Sequence, residues 1–274
     1  MPSGRPRAID TTGSQATAAA RETYESPSFR AQYLLFHYGT RTEIAPPRGL
    51  ERGLDYMVRV VRLGLAGAKL PRGARALDVG CAVGRGTFEL ARYAEEAIGI
   101  DLSSSFITAA STIARSGRLA YLAVEDGEIT TRRVAKAPKG IDRKRVSFEV
   151  GNAMALRDDL GMFDAVLCVN LLDRLPDPGR FLRDAKHLVR PGGRLILSSP
   201  HSWIERYTPK AKWLGGKVVS GRPLRVYGSQ RKLLEPAFRP LRHFDIEFHL
   251  RDHARHSQWG TAEASVWERQ DRVR

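Results

Sequence analysis

The sequence predicts an α/β fold with a doubly wound, mostly parallel sheet of seven strands. Three observations support this: apolar strand-like runs alternate with helical segments, the first strand ends in a glycine-rich turn at Gly80, and the second ends at the carboxylate of Asp101. Alternating β and α segments form parallel sheets with right-handed crossovers. Ligands bind such sheets beyond the carboxyl ends of the strands, so we expect the functional residues there.

The first βα unit carries the clearest functional signal. Gly80 and Gly84 can adopt positive φ and let a ligand approach the backbone, and the following helix presents free N–H groups. Asp101 lies 21 positions after Gly80 (101 − 80), where a carboxylate can accept both hydroxyls of a ribose. A dinucleotide fingerprint needs glycine at Ala82 and Arg85, so NAD and flavin are disfavoured.

The later segments extend the same pattern. The predicted strands after the first unit are 146–150, 163–170, 194–198 and an antiparallel edge pair at about 243–250 and 264–268. The predicted helices are 103–115, capped by Ser103, and 181–189, stopped by Pro191-Gly192-Gly193.

The domain organisation is predicted as a disordered leader (1–22), an N-terminal helical cap (23–70) and one α/β domain (71–274). The domain carries an inserted hairpin at about 119–145, turning at Asp126-Gly127, and a lid at about 200–228. Long connections at the ligand side commonly form lids, and 24–39 and 200–228 are rich in aromatic and hydrogen-bonding residues.

Composition narrows the function classes. The formal charge is +15, but the basic residues are dispersed, and the densest cluster, 136–145, has no interleaved aromatic residues for stacking bases. A solvated basic surface is therefore favoured over nucleic-acid binding. Cys81 and Cys168, the two cysteines, form neither a disulfide framework nor a Cys-rich zinc site, and we predict no metal. No apolar run has the length of a membrane span, and the cysteine usage favours the cytoplasm.

The run from Asp78 to Gly84 matches Asp-x-Gly-x-Gly-x-Gly, with Ala82 in place of the middle glycine. It resembles motif I of the class I S-adenosylmethionine-dependent methyltransferases, which implies a Rossmann-like methyltransferase fold and S-adenosylmethionine as cofactor. Gly151-Asn152-Ala153 stands where many of these enzymes have Gly-Asp-Ala, and Asn152 can still accept from the adenine amine. The cofactor-binding residues implied are Asp78, Gly80, Cys81, Ala82, Gly84, Arg85, Asp101, Leu102, Asn152, Ala153 and Asn170.

Motifs outside this cofactor fold resemble a narrower family over roughly 24–267. They are Tyr24-Glu25-Ser26, the run Tyr33-Leu34-Leu35-Phe36-His37-Tyr38-Gly39, Asn170 to Pro178, Thr208-Pro209-Lys210, Trp213 to Gly216, Arg251 to Arg255, and Gln258-Trp259. The chain is similar to the 4-mercaptohistidine (5-thiohistidine) methyltransferases of ovothiol biosynthesis. The resemblance implies methyl transfer to an imidazole ring nitrogen, giving ovothiol A, with thiohistidine supplied by a separately encoded sulfoxide synthase.

The resemblance and the chemistry together nominate residues for the acceptor. The catalytic candidates are Tyr38, Asp173 and His253, and the substrate-binding candidates are His37, Tyr38, Asn170, Asp173, Arg174, Trp213, His253 and Gln258. Arg174 can pair with the amino-acid carboxylate, and Asp173 can accept from the ammonium group or the ring N–H.

Three alternatives stay open: another small-molecule acceptor, a nucleic-acid methyltransferase, and a cofactor-binding scaffold without chemistry. Methyltransferases of base amines commonly carry Asn/Asp-Pro-Pro-Tyr/Phe where this chain has Asn170-Leu171-Leu172-Asp173, which argues against that class.

Overall fold

The computed structural model describes residues 24–44 and 51–271, so the predicted leader, 1–22, lies outside the described residues. The helices are α1 (Pro27–Tyr38), α2 (Arg41–Ile44), α3 (Tyr56–Gly64), α4 (Arg85–Leu90), α5 (Ser104–Ser116), α6 (Pro178–Asp184) and α7 (Val226–Leu234). The strands are β1 (Arg75–Val79), β2 (Glu96–Asp101), β3 (Arg118–Asp126), β4 (Ile129–Lys136), β5 (Val146–Val150), β6 (Phe163–Val169), β7 (Val189–Ser199), β8 (Lys217–Val219), β9 (Arg222–Leu224), β10 (Phe238–His253) and β11 (His256–Arg269).

Seven strands form the central sheet in the order β5-β2-β1-β6-β7-β11-β10. The pairs among β5, β2, β1, β6 and β7 are parallel, and β11 is antiparallel to both of its neighbours. The predicted doubly wound, mostly parallel fold is therefore confirmed. The expected pair of edge strands is corrected in one respect: β10 is at the edge, but β11 lies between β10 and β7.

Hydrophobic clusters cover both faces of the sheet, as the apolar strands require. Every residue of β6 is buried, which is typical of a central parallel strand covered on both sides. Leu34 of α1 and Tyr56 of α3 belong to the same hydrophobic cluster as β1 and α4. The N-terminal helices thus share a core with the sheet, and the proposed boundary at residue 70 does not separate two cores.

Several helix and strand boundaries differ from the sequence prediction, among them the end of the helix predicted to reach 189, which stops at Asp184, and the last two strands, which are longer than predicted. Two of the differences have a clear local cause. Helix α6 begins at Pro178 because the Asp177 carboxylate accepts from the Arg180 N–H and proline suits the first helical position. The strand predicted from 194 begins instead at Val189. Its pairing with β6 jumps from Val189 to Arg194, so Pro191-Gly192-Gly193 forms a bulge within β7.

Three additions surround the carboxyl edge of the sheet. Strands β3 and β4 form an antiparallel hairpin within the predicted insertion, and it contacts α1. The β10–β11 hairpin continues beyond the end of β7, from the pair Glu263 and Ser199 to the pair His253 and His256. The segment after β7 contains a 3₁₀ turn and the β8–β9 hairpin. No helix within 24–44 or 51–271 is long and apolar enough to cross a membrane.

Candidate cofactor and acceptor site

A cavity opens at the carboxyl ends of the parallel strands, as the fold predicts. Its empty space, counted together with the open solvent at its mouth, is about 980 Å³. The residues that line it come from the first βα turn, the ends of β2, β5 and β6, and α1. They are Tyr24, Tyr33, Phe36, His37, Met57, Gly80, Ala82, Ile100, Asp101, Leu102, Phe106, Gly151, Asn152, Ala153, Val169, Asn170, Leu171, Arg174, Leu175 and Pro176.

The glycine turn and Asp101 form one hydrogen-bonded unit. The turn takes the left-handed conformation at Gly80 and at Ala82, which has φ +48° where the motif usually has glycine. The N–H of Ala82 donates to Asp101 Oδ2 at 2.9 Å, and the N–H of Ser103 donates to Oδ1 at 2.9 Å. Each carboxylate oxygen keeps a further lone pair, so the group fits a ribose diol.

Burial governs the ionisation of Asp101. It raises the pKa of this carboxyl to about 6, although the N–H groups of Ser103 and Ala82 favour the charged form. The carboxylate is therefore the main form at neutral pH, and it becomes a weaker acceptor as the pH falls through 6.

Four predicted cofactor residues lie behind the cavity wall. Asp78 is buried beneath the turn, where its Oδ2 accepts from the Thr87 hydroxyl at 2.9 Å and its Oδ1 has no partner. Cys81, Gly84 and Arg85 are likewise absent from the wall, and Arg85 donates to the carbonyl of His37 at 3.2 Å. These residues shape the turn and join it to α1, and their direct contact with the cofactor stays a prediction.

Asn152 lines the cavity together with Leu102 and Ala153. Its Oδ1 already accepts from the Met154 N–H at 2.9 Å, which fixes the turn after β5. The oxygen retains one lone pair for an adenine amine. Asn152 and Asp101 thus mark the nucleoside end of the cavity.

Asn170, at the end of β6, is predicted for both cofactor and substrate and lines the cavity. It has φ +52°, a conformation that asparagine tolerates better than most residues. Its Oδ1 accepts from the hydroxyl of Tyr56 at 2.9 Å, and its N–H donates to the Ser198 carbonyl at 2.8 Å. The next residue, Leu171, packs over Gly80, which brings Asn170 beside the glycine turn.

Aromatic residues of the N-terminal segment line the cavity opposite the sheet. Tyr24 is held there because its carbonyl accepts from the Ser103 hydroxyl, while the carboxylate of Glu25 accepts from the first N–H groups of α5. Tyr33 packs against Tyr24 and Phe106 in this wall. Burial raises the pKa of the phenols of Tyr24 and Tyr33, so both stay neutral hydrogen-bonding groups.

His37 is the histidine that reaches the cavity among the described residues. Burial, and then the positive charge of Arg85, lower its pKa to about 3. Its Nδ1 is buried without a partner. A neutral imidazole in this position can donate or accept a hydrogen bond, but it is too weak a base to carry a proton at neutral pH.

Arg174 and Asp173 form a pair in which Arg174 alone reaches the cavity wall. Arg174 Nη1 donates to Asp173 Oδ2 at 3.1 Å and to the Ser202 carbonyl at 2.8 Å, while Asp173 Oδ2 also accepts from the Ser202 N–H at 2.8 Å. The Asp173 side chain is 1% exposed. Asp173 therefore positions Arg174 and the segment after β7, and its catalytic role stays a prediction.

Tyr38 and Trp213 also fall outside the cavity wall. The Tyr38 hydroxyl donates to the Val83 carbonyl at 2.7 Å, so it braces the glycine turn rather than facing an acceptor. Trp213 donates to the Thr208 carbonyl at 2.7 Å and stacks on Trp203. The Thr208 hydroxyl in turn donates to the carbonyl of Leu175, which lines the cavity.

His253 and Gln258 lie in the projecting β10–β11 hairpin and not in the cavity wall. Gln258 donates to Asp252 at 3.0 Å, and Gln32 of α1 donates to the same carboxylate. His253 stacks on His256 near the hairpin tip. This part of the hairpin fastens α1, which carries the cavity residues Tyr33 and His37, and the substrate contacts of His253 and Gln258 stay predictions.

The motif analysis missed several wall residues. Met57, Phe106 and Val169 are apolar positions whose periodicity indicates only burial. Tyr24 and Tyr33 lie in the aromatic-rich segment 24–39, and the enrichment of that segment in aromatic residues is the signal that the sequence offers for them.

Comparison with known proteins matches residues 77–197 to a family described as a methyltransferase domain. A ubiquinone biosynthesis O-methyltransferase of Xanthomonas axonopodis pv. citri is 31% identical over 141 residues, 51% of this chain and 48% of that protein. The ubiquinone biosynthesis O-methyltransferase of Coxiella burnetii is 26% identical over 136 residues, which are 50% of this chain and 47% of that protein. The alignments thus span about half the length of these curated relatives.

Two solved structures resemble nearly the whole chain. The [4+2]-cyclase SpnF has a TM-score of 0.58 at 18% identity, covering 93% of this chain and 97% of that one. Magnesium protoporphyrin IX methyltransferase of Synechocystis PCC 6803, with bound S-adenosylmethionine, has a TM-score of 0.57 at 16% identity, covering 97% and 100%. These likenesses concern the fold.

The comparisons confirm the predicted fold. They also support S-adenosylmethionine as the cofactor that this fold binds. The cavity is consistent with this cofactor, since Asp101 and the glycine turn at its nucleoside end stand where the fold requires them. Residues 77–197 thus match a methyltransferase domain, and the chain has the fold of the class I S-adenosylmethionine-dependent methyltransferases.

Proposed function

We propose that this protein transfers a methyl group from S-adenosylmethionine to an imidazole ring nitrogen of 5-thiohistidine, forming ovothiol A. One observation carries the proposal: the segments that resemble the thiohistidine methyltransferases supply the acceptor end of the cavity. Nine lining residues come from those segments, outside the glycine motif: Tyr24, Tyr33, Phe36, His37, Asn170, Leu171, Arg174, Leu175 and Pro176.

The aromatic side chains that cover the acceptor end favour a small molecule as the methyl acceptor. Tyr24, Tyr33 and Phe36 cover the cavity from the side of α1, and Phe106 packs against the first two. A base would have to be flipped out of a nucleic acid and passed beneath these rings. A free amino acid needs no such rearrangement.

The polar groups of the acceptor end suit an amino acid with an imidazole ring. Arg174 is the one cationic side chain in the wall among the described residues, and it matches an α-carboxylate. His37 is neutral and can form a hydrogen bond with the second ring nitrogen. Both tyrosine hydroxyls stay protonated and can bind the remaining polar groups of the substrate.

The bound cofactor supplies an activated methyl group on a positively charged sulfur. The lone pair of the ring nitrogen forms the new N–C bond as the C–S bond breaks, the electron pair of that bond remains on the cofactor sulfur, and the methylated ring releases one proton to water. His37, whose pKa is about 3, does not take up this proton at neutral pH, and the carboxylate of Asp101 faces the ribose hydroxyls instead. The protein contribution is therefore mainly alignment of nitrogen, methyl carbon and sulfur.

A second acceptor class is an oxygen nucleophile, favoured by the identity to ubiquinone biosynthesis O-methyltransferases. That alignment covers about half of this chain and about half of each relative, so it does not decide the acceptor. Deprotonating a phenol calls for a general base, and His37, whose pKa is about 3, is too weak a base for that step. This chemistry favours nitrogen.

Mass spectrometry of turnover tests the proposal. Purified protein and S-adenosylmethionine are incubated with 5-thiohistidine and, in parallel, with histidine, ergothioneine, a catechol and mixed RNA. We expect one added methyl from thiohistidine alone, with fragmentation typical of a ring N-methyl product. A methylated catechol without methylated thiohistidine would refute the proposal and favour the oxygen-nucleophile alternative. A separately encoded sulfoxide synthase would supply the substrate in the cell.

A further inference from the structure

We propose that Tyr56 is a positioning residue for this reaction: it turns the Asn170 amide so that its NH₂ group faces the cavity and holds the acceptor sulfur away from the transferring methyl group. The inference rests on the proposed function and deepens it, because it concerns which atom of thiohistidine is methylated. Tyr56 belongs to α3 and is absent from the cavity wall.

Tyr56 reaches Asn170 through a buried hydrogen-bonded cluster. Its hydroxyl donates to Asn170 Oδ1 at 2.9 Å and lies 2.9 Å from the Ser198 hydroxyl. Tyr56 is 2% exposed and Ser198 is 1% exposed, so water does not compete for these contacts. The Tyr56 ring packs against Phe36 and Phe248, with centroid separations of 5.9 and 5.6 Å, which fixes the direction of its hydroxyl.

The same cluster fixes both the backbone and the side chain of Asn170. The backbone is held at φ +52° by the hydrogen bond from its N–H to Ser198, and the amide oxygen is held by Tyr56. The amide nitrogen donates to no residue in the described part of the chain, and it is not among the buried atoms without partners. Because Asn170 lines the cavity, this nitrogen is presented there as a donor.

A donor at this point addresses a selectivity problem. Thiohistidine carries a thiolate, which is a better nucleophile than a ring nitrogen, so an unrestrained acceptor would form an S–CH₃ bond. A thiolate that accepts an N–H hydrogen bond is less nucleophilic and has a fixed direction. Leu171 packs over Gly80, so Asn170 stands next to the turn that carries the cofactor. Sulfur bound to Asn170 would leave the ring nitrogen to meet the methyl group.

The test compares Tyr56→Phe with Ser198→Ala. Tyr56→Phe keeps the ring packing and removes the hydroxyl, whereas Ser198→Ala removes the other partner of that hydroxyl and leaves the contact with Asn170. With thiohistidine as acceptor, the S-methyl to N-methyl product ratio is measured by fragmentation, alongside the KM for thiohistidine and the Kd for S-adenosylmethionine. We expect Tyr56→Phe to raise the ratio about fivefold, the equivalent of one hydrogen bond of about 1 kcal/mol. We expect an unchanged cofactor Kd, and Ser198→Ala to keep the wild-type ratio.

Asn170→Asp tests the amide orientation separately, because aspartate also tolerates the left-handed conformation. A carboxylate oxygen in place of the NH₂ group would repel a thiolate, so we expect a raised KM and more S-methyl product. An unchanged product ratio in Tyr56→Phe, or unchanged KM and ratio in Asn170→Asp, would overturn the inference while N-methylation by the wild-type protein upholds the proposed function. Absence of any methylated thiohistidine with the wild-type protein would overturn both.

Discussion

Replacing Asp101 by asparagine should weaken cofactor binding in a way that depends on pH. The carboxylate accepts one backbone N–H on each oxygen, from Ala82 and Ser103, and offers its other lone pairs to the ribose hydroxyls. In the asparagine variant the amide NH₂ must face one of those N–H groups, so one ribose contact is lost and one donor meets another donor. Hydrogen bonds to a charged group contribute about 1.5–3 kcal/mol, so we expect Kd to rise about 10- to 150-fold.

The pH profile gives the sharper result. Since the pKa of Asp101 is about 6 in the free protein, protonation removes the acceptor below that pH. The Kd of the wild-type protein should therefore rise by up to about tenfold per pH unit below 6, and the asparagine variant should lack this rise. Titration calorimetry with S-adenosylmethionine between pH 5 and 8 measures both, and thermal unfolding checks that each protein is folded. A folded variant with wild-type affinity, or a wild-type Kd that does not change between pH 5 and 7, would refute this role of Asp101.

Three further changes probe other parts of the site. Arg174→Lys keeps a positive charge but loses the guanidinium fork, so the KM for thiohistidine should rise about tenfold with little change in cofactor Kd; equal losses of both would contradict the carboxylate contact. Burial raises the pKa of Asp78 to about 7, so its contribution to stability is complete below its unfolded pKa of about 3.9 and is lost as pH rises through 7. Between pH 5 and 7, the free energy of unfolding measured with urea should change by about 1.4 kcal/mol less per pH unit in Asp78→Asn than in the wild-type protein. The same pH dependence in both proteins would argue against the titration of Asp78. In Gly80→Ala the new Cβ would lie 2.9 Å from Leu171, whereas in Gly73→Ala, at a similar φ (+75° against +76°), it would have no neighbour within 4 Å. Urea unfolding should therefore show a loss in the free energy of unfolding that is about 1 kcal/mol larger for Gly80→Ala than for Gly73→Ala. Equal losses would mean that Leu171 simply moves aside.

The fold could be predicted closely because its signals are local. The Gly80 turn, the cap at Ser103 and the buried run of β6 each identify an element from a few neighbouring residues. The predicted boundaries were wrong where the pairing between strands decides where an element begins. Pro191-Gly192-Gly193 stops a helix by its composition, yet β7 begins before it, because Val189 pairs with Phe163 and the intervening residues bulge out.

The cofactor end of the site was predictable for the same reason, and the acceptor end was less so. His37 and Tyr38 are adjacent at the end of α1, but one reaches the cavity and the other donates to the Val83 carbonyl. That difference depends on how α1 is fastened to the sheet. Tyr56 shows the limit more clearly, since its partner Asn170 is 114 positions away and no local pattern connects them.

The range matched to a methyltransferase domain contains the nucleoside end of the cavity and part of its acceptor end, including Asn170 and Arg174. The methyltransferase-domain match spans 77–197, which contains the glycine turn, Asp101 and Asn152. Tyr24, Tyr33 and His37 precede that range, and Ser202, which holds the Asp173–Arg174 pair, follows it. The same outer segments also hold the glycine turn, since Tyr38 donates to the Val83 carbonyl and Arg85 donates to the His37 carbonyl. Similarity within the matched range leaves these outer wall residues out, and it is therefore compatible with a different methyl acceptor.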